Sequence, residues 1–110
     1  MRFGIFFELS VPRPPGAGLE QQVYDNALEQ AVLADALGFD WVWAVEHHFL
    51  EVYSHCSAPE VFLTAVAART ERIRVGHGAV VCVPEMNHPV RVAERAATAV
   101  RNTSGAEQCE

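Results

Sequence analysis

Residues 34–48 read ADALGFDWVWAVEHH and pass from a helix through a turn into a short strand. Gly38 is well placed to end the helix, because glycine readily adopts the left-handed conformation found at helix ends. Residues 41–45 are wholly apolar, which is typical of a parallel strand that is covered on both faces. The polar segment Glu46-His47-His48 follows at once, so this strand ends in chemically useful side chains.

The chain before this segment predicts one strand and one helix. Residues 2–9 alternate between two faces, as a strand with different surroundings on its two sides does. Residues 10–18 hold three prolines and two glycines and form a loop by composition. From about Glu20 the apolar residues recur at intervals of three and four, which predicts an amphipathic helix as far as Gly38.

A second helix is predicted after the polar segment. Ser57 and Glu60 have the spacing of a capping box, in which each residue satisfies a free backbone N–H of the other. Pro59 suits the first helical turn, where no N–H is needed. The helix is expected to run to about Arg72.

A third strand and a third helix complete a pattern that occurs three times. The strand covers residues 73–83, and the helix opens at residues 87–89 and runs to about Val100. This alternation predicts an α/β fold with a parallel sheet and right-handed crossovers. No GxGxxG follows the first strand and no P-loop occurs, so the main sequence motifs of nucleotide-binding folds are absent.

Length and composition restrict the class of protein. The 110 residues suit one small domain, and the formal charge of -6 argues against a nucleic-acid interface or an anionic membrane surface. No apolar run approaches a membrane span, and the N-terminus does not resemble a signal peptide. Three cysteines without metal-ligand spacing fit a reducing cytoplasm.

Polar residues stand near the predicted ends of two strands. Glu8 lies on the face opposite Phe3, Ile5 and Phe7, and it points into a barrel if those residues pack against helices. His47 is favoured over its neighbour as a proton carrier, because adjacent strand residues point to opposite faces. The alternative, that the paired histidines are surface residues, stays open at this point.

The third strand contains Gly76 and Gly78, which predict a bulge or the close approach of a flat or bulky group. Tight packing between helix and strand is the alternative reading. A metal site is disfavoured because the five histidines show no HxH or HExxH spacing. A nucleophile–base pair of Cys56 and His47 lacks a recognisable motif.

Five segments together carry a resemblance to a known family. Residues 2–6, 34–43, 46–49, 75–81 and 88–94 resemble the bacterial luciferase-like superfamily, in order and in spacing. The similarity covers roughly residues 1–98. It implies that the chain forms the first three units of a (β/α)₈ TIM-type barrel, which is truncated after the third unit.

The resemblance also implies a function and a set of site residues. Members of the family bind reduced FMN or a deazaflavin at the strand C-terminal ends and act as flavin-dependent monooxygenases or hydride-transfer enzymes. His47 is the expected catalytic residue, and Glu8, Glu46, Gly78 and Ala79 are the expected cofactor contacts. The Gly78–Ala79 bond matches a non-prolyl cis peptide that many members contain.

The chain departs from the family in its length. A complete barrel needs about 200 residues or more, whereas residues 99–110 read as a polar, atypical tail on a single partial domain of residues 1–110. We therefore expect an incomplete site and self-association through unpaired sheet edges. The alternatives are a non-catalytic fragment that binds itself or a partner chain, and a flavodoxin-like module, which needs about five strands.

Overall fold

The computed structural model describes residues 1–101, which form three parallel strands and three helices in strict alternation. The elements are β1 (Gly4–Phe7), α1 (Leu19–Ala36), β2 (Trp41–Val45), α2 (Pro59–Ala67), β3 (Arg74–Ala79) and α3 (Pro89–Arg101). The strands lie in the order β1-β2-β3, and both pairs are parallel. The predicted α/β order is confirmed, while the tail beyond residue 101 lies outside the described residues.

The helix stop at Gly38 and the bounds of β2 agree with the sequence prediction. Gly38 follows Leu37, the C-cap residue of α1, and has a φ of 82°, so it adopts the left-handed conformation that ends the helix. Strand β1 is shorter than predicted because Leu9 has a φ of 50°, which turns the chain out of the extended conformation. Strand β3 ends at Ala79, because the N–H of Val81 bonds to a Glu46 carboxylate oxygen instead of a strand.

The predicted capping box at the start of α2 is wrong. Ala58 occupies the N-cap position, and no side chain caps the helix. Glu60 instead forms an ion pair with Arg95 of α3, at 3.2 Å between Oε1 and Nη1. The carboxylate is therefore used for packing between the helices and not for closing the first turn of its own helix.

Helix α2 also ends earlier than predicted, because Asp35 of α1 binds the backbone that follows it. The N–H groups of Glu71, Arg72 and Ile73 donate to this carboxylate at 2.9, 3.1 and 2.8 Å. Burial alone would raise the pKa of Asp35, but these three bonds and the nearby Arg72 guanidinium hold it below its ordinary value. The carboxylate turns the chain from α2 into β3.

One face of the sheet packs against the helices and forms the core. Ile5, Phe7 and Leu9 lie on this side, as the alternation of the first strand predicts. Phe7 meets the ring of Phe62 edge-on, with 5.4 Å between centroids. Phe3 is an exception, since it is 54% exposed and contacts the Phe39 ring beside the core.

The opposite face of the sheet, here called the open face, carries large aromatic rings. Trp41 and Trp43 stack on each other with centroids 5.1 Å apart, and Phe6 is 53% exposed. A Cβ atom at Gly76 would lie 2.4 Å from the Trp43 ring, and one at Gly78 would lie 2.5 Å from the Phe6 ring. The flat groups that lie against β3 are therefore the protein's own side chains.

None of the three helices in the described part of the chain combines the length and hydropathy needed to span a bilayer.

Candidate site at the C-terminal ends of the strands

Glu8 and His47 meet at the same end of the sheet. Phe7 pairs with Ala44 in the parallel ladder, so the residues that follow β1 and β2 emerge side by side. Oε2 of Glu8 lies 3.9 Å from Nε2 of His47, and both side chains are partly exposed. The structure thus brings together two of the residues that the sequence singled out.

The Glu8 carboxylate has a second neighbour, Tyr53, which sequence reasoning missed. The Tyr53 hydroxyl hydrogen-bonds to Glu8, and this bond raises the pKa of the tyrosine. Its ring lies 5.5 Å from the imidazole of His47, centroid to centroid. No period or motif marks Tyr53, because its position depends on the path of the loop between β2 and α2.

Backbone hydrogen bonds hold that loop in place. The N–H of His47 donates to the Cys56 carbonyl at 2.9 Å, and the N–H of His55 donates to the Leu9 carbonyl at 3.0 Å. The N–H of Val11 donates to the Val52 carbonyl, also at 3.0 Å. The loop is therefore tied to the segment after β1, on both sides of Tyr53.

Glu46 is buried, and hydrogen bonds occupy both of its carboxylate oxygens. Oε2 accepts from the N–H of Val81 at 2.9 Å, and Oε1 accepts from Nδ2 of Asn87 and from Nε2 of His48, both at 2.8 Å. Burial alone would raise the pKa of Glu46, but the bonds from His48, Val81 and Asn87 lower it below its ordinary value. Glu46 thereby holds the connection between β3 and α3 against the end of β2.

The predicted bulge in β3 is present at Gly78. Ala44 pairs with His77 and Val45 pairs with Ala79, so Gly78 is an extra residue without a partner in β2. The N–H of Glu46 donates to the Ala79 carbonyl at 3.1 Å and closes the ladder. The bulge lies at the same end of the sheet as Glu8 and His47.

The expectation of a cis peptide at Gly78–Ala79 is wrong for this structure. Within residues 1–101 the cis peptide bond is Arg13–Pro14, and the bond after Gly78 is trans. The irregularity of β3 is the extra residue Gly78, which shifts the register of pairing with β2. A non-prolyl cis bond would cost about 3–4 kcal/mol, and this strand contains none.

His47 and His48 border one cavity, although adjacent strand residues point to opposite faces. Strand β2 ends at Val45, so the alternation no longer applies to the two histidines. The cavity has a volume of about 540 Å³ and is also lined by His55 and Ser54. His77 lies elsewhere, where it pairs with Ala44 on the helix face. Burial lowers the pKa of His77, and the nearby Glu60 carboxylate only partly opposes this effect.

The arrangement of Glu8, His47 and Tyr53 suits proton transfer. An imidazole can donate or accept a proton. Asp, Glu, Tyr and His are the groups that enzymes use as general acids and bases. A ligand at this end of the sheet would meet these three side chains together with the backbone of the bulge.

Comparison with known proteins relates this arrangement to a family. A family model described as luciferase-like monooxygenase matches residues 1–105. The 4-hydroxyprotoasukamycin monooxygenase of Streptomyces nodosus subsp. asukaensis is 41% identical over 78 residues, which cover 71% of this chain and 20% of that protein. The oxygenase component of the flavin-dependent trigonelline monooxygenase of Acinetobacter baylyi is 32% identical over 99 residues, covering 88% of this chain and 26% of that protein.

A solved structure shows the same fold over the same segment. The monooxygenase RslO1 of Streptomyces bottropensis is 39% identical, with a TM-score of 0.79, and the match covers 96% of this chain and 31% of that one. The chain thus spans less than a third of the length of each of these proteins. The matches in sequence and in fold agree, and this chain belongs to the luciferase-like monooxygenase family.

Proposed function

We propose that this chain carries one part of the active site of a flavin-dependent monooxygenase. The enzyme would use reduced FMN or a deazaflavin together with molecular oxygen to oxidise a small organic substrate. The observation that carries the proposal is the contact of Glu8 with His47, 3.9 Å apart at the ends of adjacent parallel strands. Active sites of barrel folds lie at this end of the strands.

The residues at this end of the sheet fit one edge of a flavin. The Gly78 bulge brings backbone to the same end of the sheet as Glu8 and His47. A flavin ring that reached this backbone would displace the Phe6 ring, which now lies against Gly78 and is 53% exposed. Glu8 keeps one buried carboxylate oxygen without a hydrogen-bond partner among residues 1–101. Such an oxygen is a ready acceptor for a donor group, since buried polar atoms are normally paired.

Each residue has a distinct proposed role. His47 transfers a proton to or from the bound reactants, and Glu8 contacts the cofactor region from β1. The bulge at Gly78 and Ala79 supplies backbone contact. For Glu46 the proposed cofactor contact is indirect, through the connection between β3 and α3 that its carboxylate holds. A reduced flavin supplies the electrons for oxygen chemistry, while the protein positions the reactants and excludes water.

The proposal is supported by the relative from Acinetobacter baylyi, whose name describes a flavin-dependent monooxygenase. A reducing cytoplasm is the proposed location, and it is compatible with the free thiols of Cys56 and Cys82.

A fluorescence titration with FMN, oxidised and reduced, and with a deazaflavin tests the proposal. We expect saturable micromolar binding that is lost in His47→Ala and retained in His88→Ala, because His88 is an exposed histidine outside the site. The two variants remove the same chemical group, so a general loss of imidazole cannot explain a difference between them. Absence of binding in a folded sample, or equal loss in both variants, would contradict the proposal.

A second candidate function is that of a non-catalytic fragment, which associates with itself or with a partner chain. The open face supports it, because Phe6 is 53% exposed and the two tryptophan rings are only partly covered. Mixing this chain with a separately produced C-terminal segment of a related barrel would produce flavin binding that neither part shows alone.

A further inference from the structure

We propose that the loop between β2 and α2 carries a substrate pocket in which the Ser54 hydroxyl binds an oxygen atom of an uncharged organic molecule. The ligand class is a compound with an apolar body and one hydroxyl or carbonyl oxygen. To call this ligand the substrate rests on the proposed function, whereas the pocket itself involves this chain alone.

The first step of the argument concerns the Ser54 hydroxyl, which is buried without a partner. The residue is 1% exposed, and its Oγ forms no hydrogen bond within residues 1–101. Buried polar atoms are normally paired, because a hydroxyl that leaves water without a new partner loses free energy. Ser54 also lines the cavity of about 540 Å³ described above, so a ligand in that cavity would supply the missing partner.

The second step concerns the backbone that fixes the serine in this place. Ser54 has a φ of 51°, a left-handed conformation that residues other than glycine rarely adopt. The residues near it on either side, Val52 and His55, are tied by backbone hydrogen bonds to the segment after β1. The loop therefore holds Ser54 against the cavity in a conformation that has a cost, as is common at binding sites.

The third step concerns the other groups that line the cavity. Phe49 and Leu50 are exposed and belong to the lining, so they offer apolar surface to a ligand. His47 also belongs to it, which puts the cavity beside the contact between His47 and Glu8. Sites for small molecules usually combine apolar walls with a few polar groups and have volumes of about 300–1,000 Å³. A bound molecule would thus place its apolar body on Phe49 and Leu50 and its oxygen at Ser54.

The fourth step concerns charge, and it favours an uncharged ligand. The His48 ring bonds to the Glu46 carboxylate at 2.8 Å. The His55 ring bonds to the Glu20 carboxylate at the same distance. A cationic ligand would therefore find both carboxylates occupied by histidine rings. An anionic ligand would find no arginine among the described residues that line the cavity.

Fluorine NMR of small aromatic probes, recorded without flavin, tests the pocket. We expect saturable binding of para-fluorobenzyl alcohol. Binding of para-fluorotoluene, which lacks the hydroxyl, and of para-fluorobenzoate, which is an anion, should be weaker. In Ser54→Ala the affinity for the alcohol should fall about fivefold, the usual effect of one hydrogen bond between uncharged groups. The affinity for para-fluorotoluene should stay the same in this variant.

Ser57→Ala is the matched control, because Ser57 lines the same cavity but is exposed, so that water satisfies its hydroxyl. This variant should bind the alcohol as the wild type does. Chemical denaturation supplies a second readout. Ser54→Ala should unfold with an unchanged or higher free energy, because the substitution removes a buried hydroxyl that has no partner in the free protein.

Equal wild-type affinities for the alcohol and for para-fluorotoluene would overturn the proposal, and so would equal losses in the two serine variants. A lower stability of Ser54→Ala would also overturn it, because the hydroxyl would then have a structural partner. Binding of para-fluorobenzoate as tight as that of the alcohol would contradict the uncharged class. Because no flavin is present, failure of the flavin titration together with selective binding of the alcohol would remove the proposed function and leave the pocket.

Discussion

At the scale of single residues, two glycines of β3 make room for two aromatic rings. A side chain at Gly76 would collide with the Trp43 ring, which is already stacked on Trp41. A side chain at Gly78 would collide with the end of the Phe6 ring, which is half exposed and free to move outward. The same substitution should therefore have different costs at the two positions.

We expect Gly76→Ala to lower the free energy of unfolding by about 1–3 kcal/mol, the usual cost of overpacking. Gly78→Ala should lower it by less, because the end of the Phe6 side chain can move aside. Chemical denaturation measures both values. Gly16→Ala is the control, since nothing lies within 4 Å of its added Cβ. Equal losses at Gly76 and Gly78 would mean that the Trp43 ring moves as easily as that of Phe6.

At the scale of elements, two buried carboxylates join parts of the chain that propensity alone does not connect. Asp35 links the end of α1 to the segment before β3, and Glu46 links the end of β2 to the segment before α3. Asp35 accepts three hydrogen bonds from across the chain, whereas Glu46 accepts two such bonds and a third from the neighbouring His48. Each carboxyl has a lowered pKa despite its burial. Such groups stabilise the fold only while they are ionised.

Asp35→Asn should reduce stability by about 1–3 kcal/mol near neutral pH, because an amide accepts fewer of the three backbone bonds. The lowered pKa means that the wild-type carboxylate adds stability above its unfolded-state value and loses it as the pH falls through its folded-state value, below 3.8. The wild type should therefore lose more stability in acid than the variant does, as thermal unfolding at several pH values would show. Asp25→Asn, at an exposed position of α1, should change neither quantity noticeably.

Glu46→Gln should loosen the connection between β3 and α3. The amide NH₂ group of glutamine cannot accept, so it would face another donor at Val81 or at Asn87, at a cost of about 1–3 kcal/mol. Amide hydrogen exchange at Val81 should become faster, whereas Glu94→Gln, on an exposed part of α3, should leave it unchanged. Unaltered protection of the Val81 amide in Glu46→Gln would mean that other contacts hold this connection.

At the scale of the whole molecule, the sheet has helices on one face and an open face on the other. Both outer strands, β1 and β3, pair on one side only in the described structure. Phe6 lies on the open face and is 53% exposed, beside the stacked tryptophan rings. Exposed apolar surface of this kind favours association, because burial of apolar area in water is favourable.

We expect the 12.1 kDa chain to self-associate through the open face. Sedimentation velocity should show species larger than the monomer, and Phe6→Ser should shift the distribution toward the monomer. Phe49→Ser is the matched control, because Phe49 is fully exposed but lies in the loop after β2. A single monomeric species with cooperative unfolding would contradict this expectation.

The order and type of the elements follow from the amino-acid sequence, because local rules govern them. The apolar run of residues 41–45 predicts β2 at its observed bounds, and Gly38 ends α1 because it adopts a left-handed conformation. The spacing of Gly76 and Gly78 predicts a bulge, which occurs at Gly78. These features depend on backbone conformation and on the period of the pattern, and both can be read from neighbouring residues.

The partners of polar side chains, the end of α2 and the position of Tyr53 depend on contacts between distant residues, which only the tertiary structure shows. Ser57 and Glu60 have the spacing of a capping box, yet Glu60 forms an ion pair with Arg95 of α3 instead. The end of α2 depends on Asp35, more than thirty residues earlier, and the place of Tyr53 depends on the path of a loop. A local pattern predicts where an element forms, whereas the partner of a charged or polar group is whichever one the folded chain brings within reach.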